Sequence, residues 1–477
     1  MPSKRLLAVL GNRLWHRLFL RDSGRLEEVQ RGILSSTLNG YANTAWGRRY
    51  EVSGGWCYKR FQAEVPLQSY SSLQPFLALK AGIIPEHVVC WEPTGGSTGG
   101  SKWIPWTKGL QRQFHCAVAP WIAEMYLEFP SLRNGRSFWQ LTPHTGLKVP
   151  SWLKDERGGF AGDGDYLGRL GRLLEKAVLV SLSRADERFW ERAVEQLERA
   201  RDLTYISCWS PSYLLVLKSR FEAIRGYWDP ATTWPSLRVL SCWTQGPSAP
   251  LIPAVQEAFP RVEIVGKGLL STEAVTTIPF LGLYPLAYRS HFFEFVADDG
   301  AVFPAWELAE GREYEVVQTT AGGLVRYQSG DRVRVTGFYR SLPCLHFAGR
   351  AGVEDRFGEK LSHHYLQALL SKREGFSGIG YENGGYVLFL ESKESEWELL
   401  EYLEGFERAL SEVYTYRDCR NLGQLRPLRA FLIEGDAWSR WREVVADGSP
   451  SAKFSFVLPK GEWSERFRGR FLSPPAL

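Results

Sequence analysis

The apolar positions along this chain change their spacing several times, and each spacing predicts a different element. Leu6, Leu10, Leu14 and Leu18 recur every fourth residue, as on one face of a helix. Arg13, His16, Arg17 and Arg21 interrupt them, so the continuous apolar run of a signal peptide is missing. A helix packed on its own domain is the simpler reading, and a membrane-surface anchor is the other. Residues 1–90 read as mostly helical and irregular. A helical stretch is expected from about Gln111 to Glu128, and a charged helix from Arg184 to Arg201 with Phe189, Ala193 and Leu197 as its buried stripe.

"LTYISCWSPSYLLVLKSRFEAI" predicts a short strand, a turn and a helix started by Ser210-Pro211. "LRVLSCW" and "VEIVGKGLLSTE" read as buried strands ending in polar turns. Strand, helix and strand in succession predict a largely parallel sheet. From Tyr288 to Phe347 the pattern shortens to alternating runs such as "RSHFFEFVADDG" and "LVRYQSGDRVRVTGF", which suit a compact antiparallel barrel or sheet. "GRAGVEDRFGEKLS" is a charged, glycine-bearing hinge candidate. Beyond it, "GYVLFLES", "ESEWELLEYLEGFERALSEV" and "LRAFLIEG" form a small α+β unit of about 120 residues, an ordinary domain size. The expected fold is therefore α/β, with one domain over 1–350 and a second over 351–477.

At 477 residues, two or three domains are the starting expectation. No uninterrupted apolar run reaches the length of a spanning helix, so stable membrane insertion is not expected. The net charge of +5 is dispersed, without a basic stripe interleaved with aromatics, which argues against nucleic acid as a partner. The seven cysteines have no C-x-x-C spacing and read as reduced, mostly buried thiols of a cytoplasmic protein, without metal. His363-His364 lacks partner ligands at metal spacing and reads as structural or exposed. Lysines number 15 against 43 arginines, so a lysine inside a motif carries more weight than usual.

One such lysine closes "EPTGGSTGGSKWIPWT", Glu92 to Thr107. Consecutive glycines and small hydroxyl residues let backbone N–H groups converge on an anion, and a following lysine adds a point charge. The pattern is neither G-x-x-x-x-G-K-[ST], because Trp103 follows Lys102, nor a dinucleotide fingerprint. Taken alone, it reads equally as an anion cradle or a surface turn.

Read in order, Thr94 to Lys102 closely resembles the T-S-G-T-T-G-x-P-K signature of the adenylate-forming superfamily of acyl-CoA synthetases, luciferases and peptide-synthetase adenylation domains. "LLSTE" (Leu269 to Glu273) resembles that group's Y-G-x-T-E, "LVRYQSGDRV" its Y-R-x-G-D, and "GRAGVEDRFGEKLS" its hinge element. "YEVVQTTAGGLVRYQSGDRVRVTGFYRSLPCLHFAGR", with "HFFEFV" upstream, resembles one branch, the Gretchen Hagen family of acyl-acid amido synthetases, whose bacterial relatives are shorter. The resemblance spans most of the chain and is strongest from Glu263 to Leu361.

The resemblance implies a large N-terminal adenylate-forming domain with flanked sheets and a barrel-like part, plus a small mobile α+β C-terminal domain. It implies a ligase using ATP and Mg²⁺, which activates a small carboxylic acid as acyl adenylate and transfers it to an amine, with an amino acid as the expected acceptor. Passing the acyl group to a thiol such as CoA is the alternative with the same first step. A non-catalytic nucleotide- or acyl-binding protein of the same fold is the alternative of another class. The backbone of Gly95, Gly96, Ser97, Thr98, Gly99 and Gly100, with the hydroxyls of Thr94, Ser97 and Thr98, would cradle phosphate beside Lys102. Leu270, Ser271 and Thr272 would line the nucleotide, and Glu273 would hold Mg²⁺. Leu269 departs from the family tyrosine. Gly246 and Ser248 in "TQGPS" would contact adenine or form a plain turn. Asp331 would accept from the ribose hydroxyls, and Arg350 would reach ribose or phosphate or make a structural ion pair. Lys453 would stabilise the pentavalent phosphorus from the mobile domain, with Lys460 as its rival. Trp121, Trp209 and Tyr213 would line the acyl pocket or pack in the core.

Overall fold

The computed structural model of the chain describes residues 13–79, 82–94, 102–140, 150–153, 179–180, 188–350, 352–373, 375–446 and 455–472. The backbone forms two compact units that part between Arg350 and Gly352.

In the first unit the helix Leu26–Tyr41 buries Leu26, Leu34, Leu38 and Tyr41 on one face, the spacing of an amphipathic helix. Gln30 on that face donates to the carbonyls of Tyr288 and His291 at 2.7 and 2.9 Å and accepts from the Phe293 amide at 2.9 Å. A buried amide is stable there because both its ends are bonded.

Strands β1 (Val88–Pro93) and β2 (Trp103–Thr107) pair antiparallel. Beyond the last register pair, Pro93 with Trp103, the Thr94 amide donates to the Lys102 carbonyl at 2.7 Å. That bond closes the ribbon at the root of the glycine loop. Thr107 then caps the helix Lys108–Glu128, its hydroxyl accepting from the Leu110 amide at 3.0 Å. The cap satisfies a donor of the first turn, so this helix starts earlier than its apolar spacing alone implies.

A parallel sheet follows, built from β3 (Arg136–Trp139), β4 (Leu179–Val180), β5 (Leu203–Ser207), β6 (Val239–Cys242) and β7 (Glu263–Gly266) in the order β4-β3-β5-β6-β7. β5 and β6 are buried at every position, as parallel strands covered on both faces are. Pro211 heads the helix Ser212–Arg225 between them, and Ile252–Ala258 links β6 to β7. β7 differs from the buried strand expected: it is the sheet edge and only Gly266 is buried, because it has a neighbour on one side only. The charged helix spans Phe189–Arg199 and buries Phe189, Ala193, Val194 and Leu197.

The antiparallel region is an open five-stranded sheet: β8 (Phe292–Val296), β9 (Val302–Pro304), β10 (Glu313–Thr319), β11 (Tyr327–Tyr339) and β12 (Leu342–Arg350), ordered β12-β11-β10-β8-β9. Along the first half of β11 burial alternates, so Tyr327, Ser329, Asp331 and Val333 share the buried face. Just before β11, Arg326 bonds both carboxylate oxygens of Glu294 at 2.9 Å, and Tyr58 donates to the same carboxylate at 3.1 Å. The pair is almost wholly buried.

In the second unit β13 (Val353–Glu354) pairs with β14 (Leu361–Ser362) within the hinge candidate. A four-stranded sheet follows, β15 (Ser377–Glu382), β16 (Gly385–Leu390), β17 (Arg429–Ile433) and β18 (Gly469–Phe471), with only β16–β17 parallel. The helix Glu396–Glu412 begins at a reciprocal Ser395–Glu398 capping box. Its Leu399, Phe406 and Leu410 pack with Leu388 and Leu390 of β16 in one core, while Val387 and Phe389 pack with Trp441, Trp463 and Phe467 in another. Among the described residues of the chain, no helix is long and apolar enough to cross a membrane.

Candidate functional site

Lys102 stands at the exit of the glycine loop, one residue before β2. Its ammonium donates to the Tyr327 hydroxyl at 3.1 Å and lies 5.7 and 5.9 Å from the ring centroids of Tyr327 and Tyr70. Tyr70 is fixed from behind, its hydroxyl accepting from the Trp103 amide at 2.8 Å and donating to the Trp103 carbonyl at 3.0 Å. Burial pulls the Lys102 pKa below its ordinary value; the carboxylates of Glu273 and Asp331 oppose that shift and Arg350 adds to it. Burial pushes the Tyr327 phenol well up, and the Glu273 charge pushes it further. The Tyr70 phenol rises to about 12, chiefly by burial. The ammonium and the two phenols beside it thus feel the same carboxylate.

Glu273 belongs to a tight hairpin. Leu269 bonds the Thr277 hydroxyl at 2.8 Å and the Thr276 amide at 2.8 Å, and the Ser271 amide donates to the Ala274 carbonyl at 2.9 Å. This puts Glu273 at the tip with its side chain buried, while Leu270, Ser271 and Thr272 are half-buried on the approaching arm.

Asp331 shares a strand face with Tyr327, and its amide donates to the Ser329 hydroxyl at 3.1 Å. The Arg350 guanidinium lies 3.5 Å from the Asp331 carboxylate and donates to the Ser329 carbonyl at 2.5 Å. The structural ion pair weighed for Arg350 is therefore present. Gly246 has φ +56°, and a Cβ there would come within 2.9 Å of the Phe347 ring, which favours glycine. Gln245 accepts from the Phe347 amide at 2.8 Å, and Ser248 is buried. This turn is fastened to β12.

Lys102, Glu273, Asp331 and Arg350 therefore meet in the first unit, with Thr94 at the loop root. Gly95, Gly96, Ser97, Thr98, Gly99, Gly100 and Lys453 lie outside the described residues. Lys460, in the second unit, lines a cavity of about 130 Å³ with Glu354, Arg356 and Tyr381. His363 pairs with Glu354 at 3.1 Å and His364 is exposed. Tyr213 is a core residue, its ring 6.3 Å from Phe138 and 5.6 Å from Trp190. Trp121 and Trp209, joined by Trp139, instead face the Lys267 ammonium at 5.9, 4.8 and 5.4 Å.

Tyr70, Tyr327 and Lys267 were not singled out by the sequence. Tyr327 lies inside "LVRYQSGD", yet nothing local marks it as the partner of Lys102. The available signal for Lys267 is its scarcity: a lysine directly after a strand, in a chain with few lysines.

Family models described as the N-terminal, central and C-terminal domains of the GH3 family match residues 16–151, 284–350 and 370–454. Together they cover more than half of the chain. The chain is 25% identical over 397 residues to an Arabidopsis thaliana protein named "Probable indole-3-acetic acid-amido synthetase GH3.1", covering 69% of this chain and 67% of that one. It is 23% identical over 468 residues to the indole-3-acetic acid-amido synthetase GH3.8 of Oryza sativa subsp. indica, covering 79% and 76%. Among solved structures, the GH3.15 acyl acid amido synthetase in complex with 2,4-DB superposes with a TM-score of 0.61 at 16% identity, over 95% of each chain. That likeness concerns the fold.

Proposed function

The chain belongs to the GH3, or Gretchen Hagen, family, and from that premise we propose an ATP-dependent ligase that activates a carboxylic acid as acyl adenylate and transfers the acyl group to an amino acid, releasing AMP. The observation that carries this reading is the meeting of Lys102, Glu273 and Asp331, from three separate elements, around the Tyr327 hydroxyl and one shared field.

Attack of a carboxylate on the α-phosphorus brings two anions together, so the protein must position them and offset charge. Lys102 supplies a half-buried cation with a fixed direction. Gly95 to Gly100, with the hydroxyls of Thr94, Ser97 and Thr98, would cradle the phosphates. Asp331 would hold the ribose hydroxyls and Arg350 would brace Asp331. Gly246 and Ser248 would border the adenine, and Leu270, Ser271 and Thr272 the nucleotide's other side. Glu273 suits Mg²⁺, a hard cation that takes one or two carboxylates and completes its shell from phosphate and water. Residues 1–350 would hold both substrates, and 351–477 would act as a lid carrying Lys453. The cytoplasm suits this chemistry as the source of ATP.

Exchange of labelled pyrophosphate into ATP, dependent on an acid, tests the reading. Glu273→Ala should abolish it. Products formed with amino acids or with CoA, identified by mass, separate amide from thioester. Silence across a broad panel of carboxylic acids would sink the proposal.

A further inference from the structure

The second unit holds a cavity of about 130 Å³ whose polar walls come from separate elements. Glu354 ends β13, and Arg356 sits in the turn between β13 and β14. Tyr381 belongs to β15 and Tyr386 to β16. Residues 456–458 run along β15: the Ile379 amide donates to the Phe456 carbonyl at 2.8 Å, and the Leu458 amide to the Ile379 carbonyl at 2.9 Å. That pairing brings the exposed Lys460 to the cavity. The buried Glu359 carboxylate braces two walls, accepting from the Arg356 amide at 2.8 Å and the Tyr386 hydroxyl at 2.6 Å.

These walls carry a surplus of donors. Arg356 donates through Nη2 to Glu354 at 3.2 Å, and its guanidinium lies 5.1 Å from the Tyr381 ring centroid. Its Nη1, the Tyr381 hydroxyl and the Lys460 ammonium have no hydrogen-bond partner among the described residues. A guanidinium, an ammonium and a phenol together suit a carboxylate. Glu354 adds the opposite sign. It bonds Arg356 and pairs with His363 at 3.1 Å, and a carboxylate with about four lone-pair sites has room for another donor. Burial pushes the Glu354 carboxyl up, yet His363 and Arg356 outweigh burial and hold its pKa below the ordinary value. It is therefore an anion at neutral pH. A phosphate or a dicarboxylate would meet that charge, whereas a zwitterion satisfies both signs. Ile379 and Leu458 add apolar lining for a short side chain. A cavity of about 150 Å³ takes one benzene, and glycine, alanine and serine are of that size.

Building on the proposed ligase reading, we propose that this cavity binds the acceptor, a free amino acid with a small side chain. Its carboxylate bonds Arg356 and Tyr381, its ammonium bonds Glu354, and the exposed Lys460 adds no more than about threefold. Size and paired charge then decide which amino acids are conjugated.

Ligand-observed NMR on the full chain without ATP measures binding of L-alanine, propionate, isopropylamine and L-tryptophan. Propionate lacks the ammonium, isopropylamine lacks the carboxylate, and tryptophan exceeds the cavity. Alanine should bind about tenfold more tightly than each, the worth of one hydrogen bond to a charged group. Glu354→Gln should bring alanine to the level of propionate. Tyr381→Phe keeps the ring and loses the hydroxyl, and should weaken alanine roughly fivefold. In the transfer reaction, KM for alanine should rise in step with these losses while kcat holds. Propionate or tryptophan binding as tightly as alanine overturns the proposal, as does unchanged alanine binding in both variants. So does a variant that loses binding but keeps its KM for alanine. Tyr381→Phe decides alone if Glu354→Gln does not fold. Pyrophosphate exchange without any preference for alanine defeats only this inference. Absence of all exchange defeats the ligase reading, and the NMR titration still judges the cavity.

Discussion

Lys102 and Tyr327 are 225 positions apart in the chain, yet the Lys102 ammonium donates to the Tyr327 hydroxyl at 3.1 Å. The bond ties the exit of the glycine loop to the first residue of β11 and gives the cation a direction. Removing the charge by Lys102→Ala should lower kcat/KM for pyrophosphate exchange by about 100-fold or more, as deletion of one preorganised donor does. Tyr327→Phe keeps the charge and loses the tether, so a loss of roughly tenfold is expected. Unchanged exchange in Tyr327→Phe would reduce Tyr327 to a packing residue.

Asp331 should act on the nucleotide rather than on the acid. Asp331→Asn is expected to raise KM for ATP by roughly tenfold, the worth of one charge-assisted hydrogen bond, with KM for the acid little altered. Initial rates with each substrate varied in turn give the split. Equal effects on both constants would argue that the substitution disturbs the Arg350 pair instead.

The two C-terminal lysines can be told apart by half-reaction. Lys453→Ala should cut adenylate formation by about 100-fold while leaving transfer from a preformed acyl adenylate near wild type. Lys460→Ala should stay within about threefold in both. The opposite pattern would assign the role to Lys460.

Glu294→Ala would leave the Arg326 guanidinium buried without its carboxylate. Breaking a buried pair by removing one partner costs about 3–5 kcal/mol, which urea unfolding would register as a lowered midpoint. Because Tyr327 adjoins Arg326, activity should fall as well. A midpoint within error of wild type would show that water or another donor compensates.

Glu359 gives the second unit a pH dependence. Its carboxylate accepts from the Arg356 and Phe357 amides at 2.8 and 2.7 Å and from Tyr386 at 2.6 Å. Full burial, reinforced by Asp355, raises its pKa to about 7 from 4.5. The folded form therefore holds a proton that the unfolded form has released between those values, so stability falls as pH rises through this window. The loss amounts to about 3 kcal/mol once pH exceeds 7. Amide hydrogen exchange in β16 should speed up from pH 5 to pH 7.5 beyond its intrinsic rate, and Glu359→Gln should flatten that trend. A trend unaltered by Glu359→Gln would place the titrating group elsewhere.

The parallel sheet was legible because the mostly apolar runs of β5 and β6 are separated by a helix, and both strands are buried at every position. β7 reads like them locally and yet is an edge, since strand order, not composition, decides how many neighbours a strand has. The glycine loop and Lys102 stood out in composition, whereas Glu273 in "LLSTE" was marked only by the family resemblance. The tyrosine partners were not legible, because nothing within a few residues of Tyr70 or Tyr327 marks either as facing Lys102. Trp121, Trp209 and Tyr213 looked alike in the sequence; the fold sends Tyr213 into the core and turns the two tryptophans toward Lys267.

By itself the sequence determined the chemical groups on offer and the period of burial along each element, since both depend on a residue and its near neighbours. Only the tertiary structure decided which groups share a field. Coulomb and hydrogen-bond energies fall away over a few ångströms of space, and separation along the chain says almost nothing about that distance.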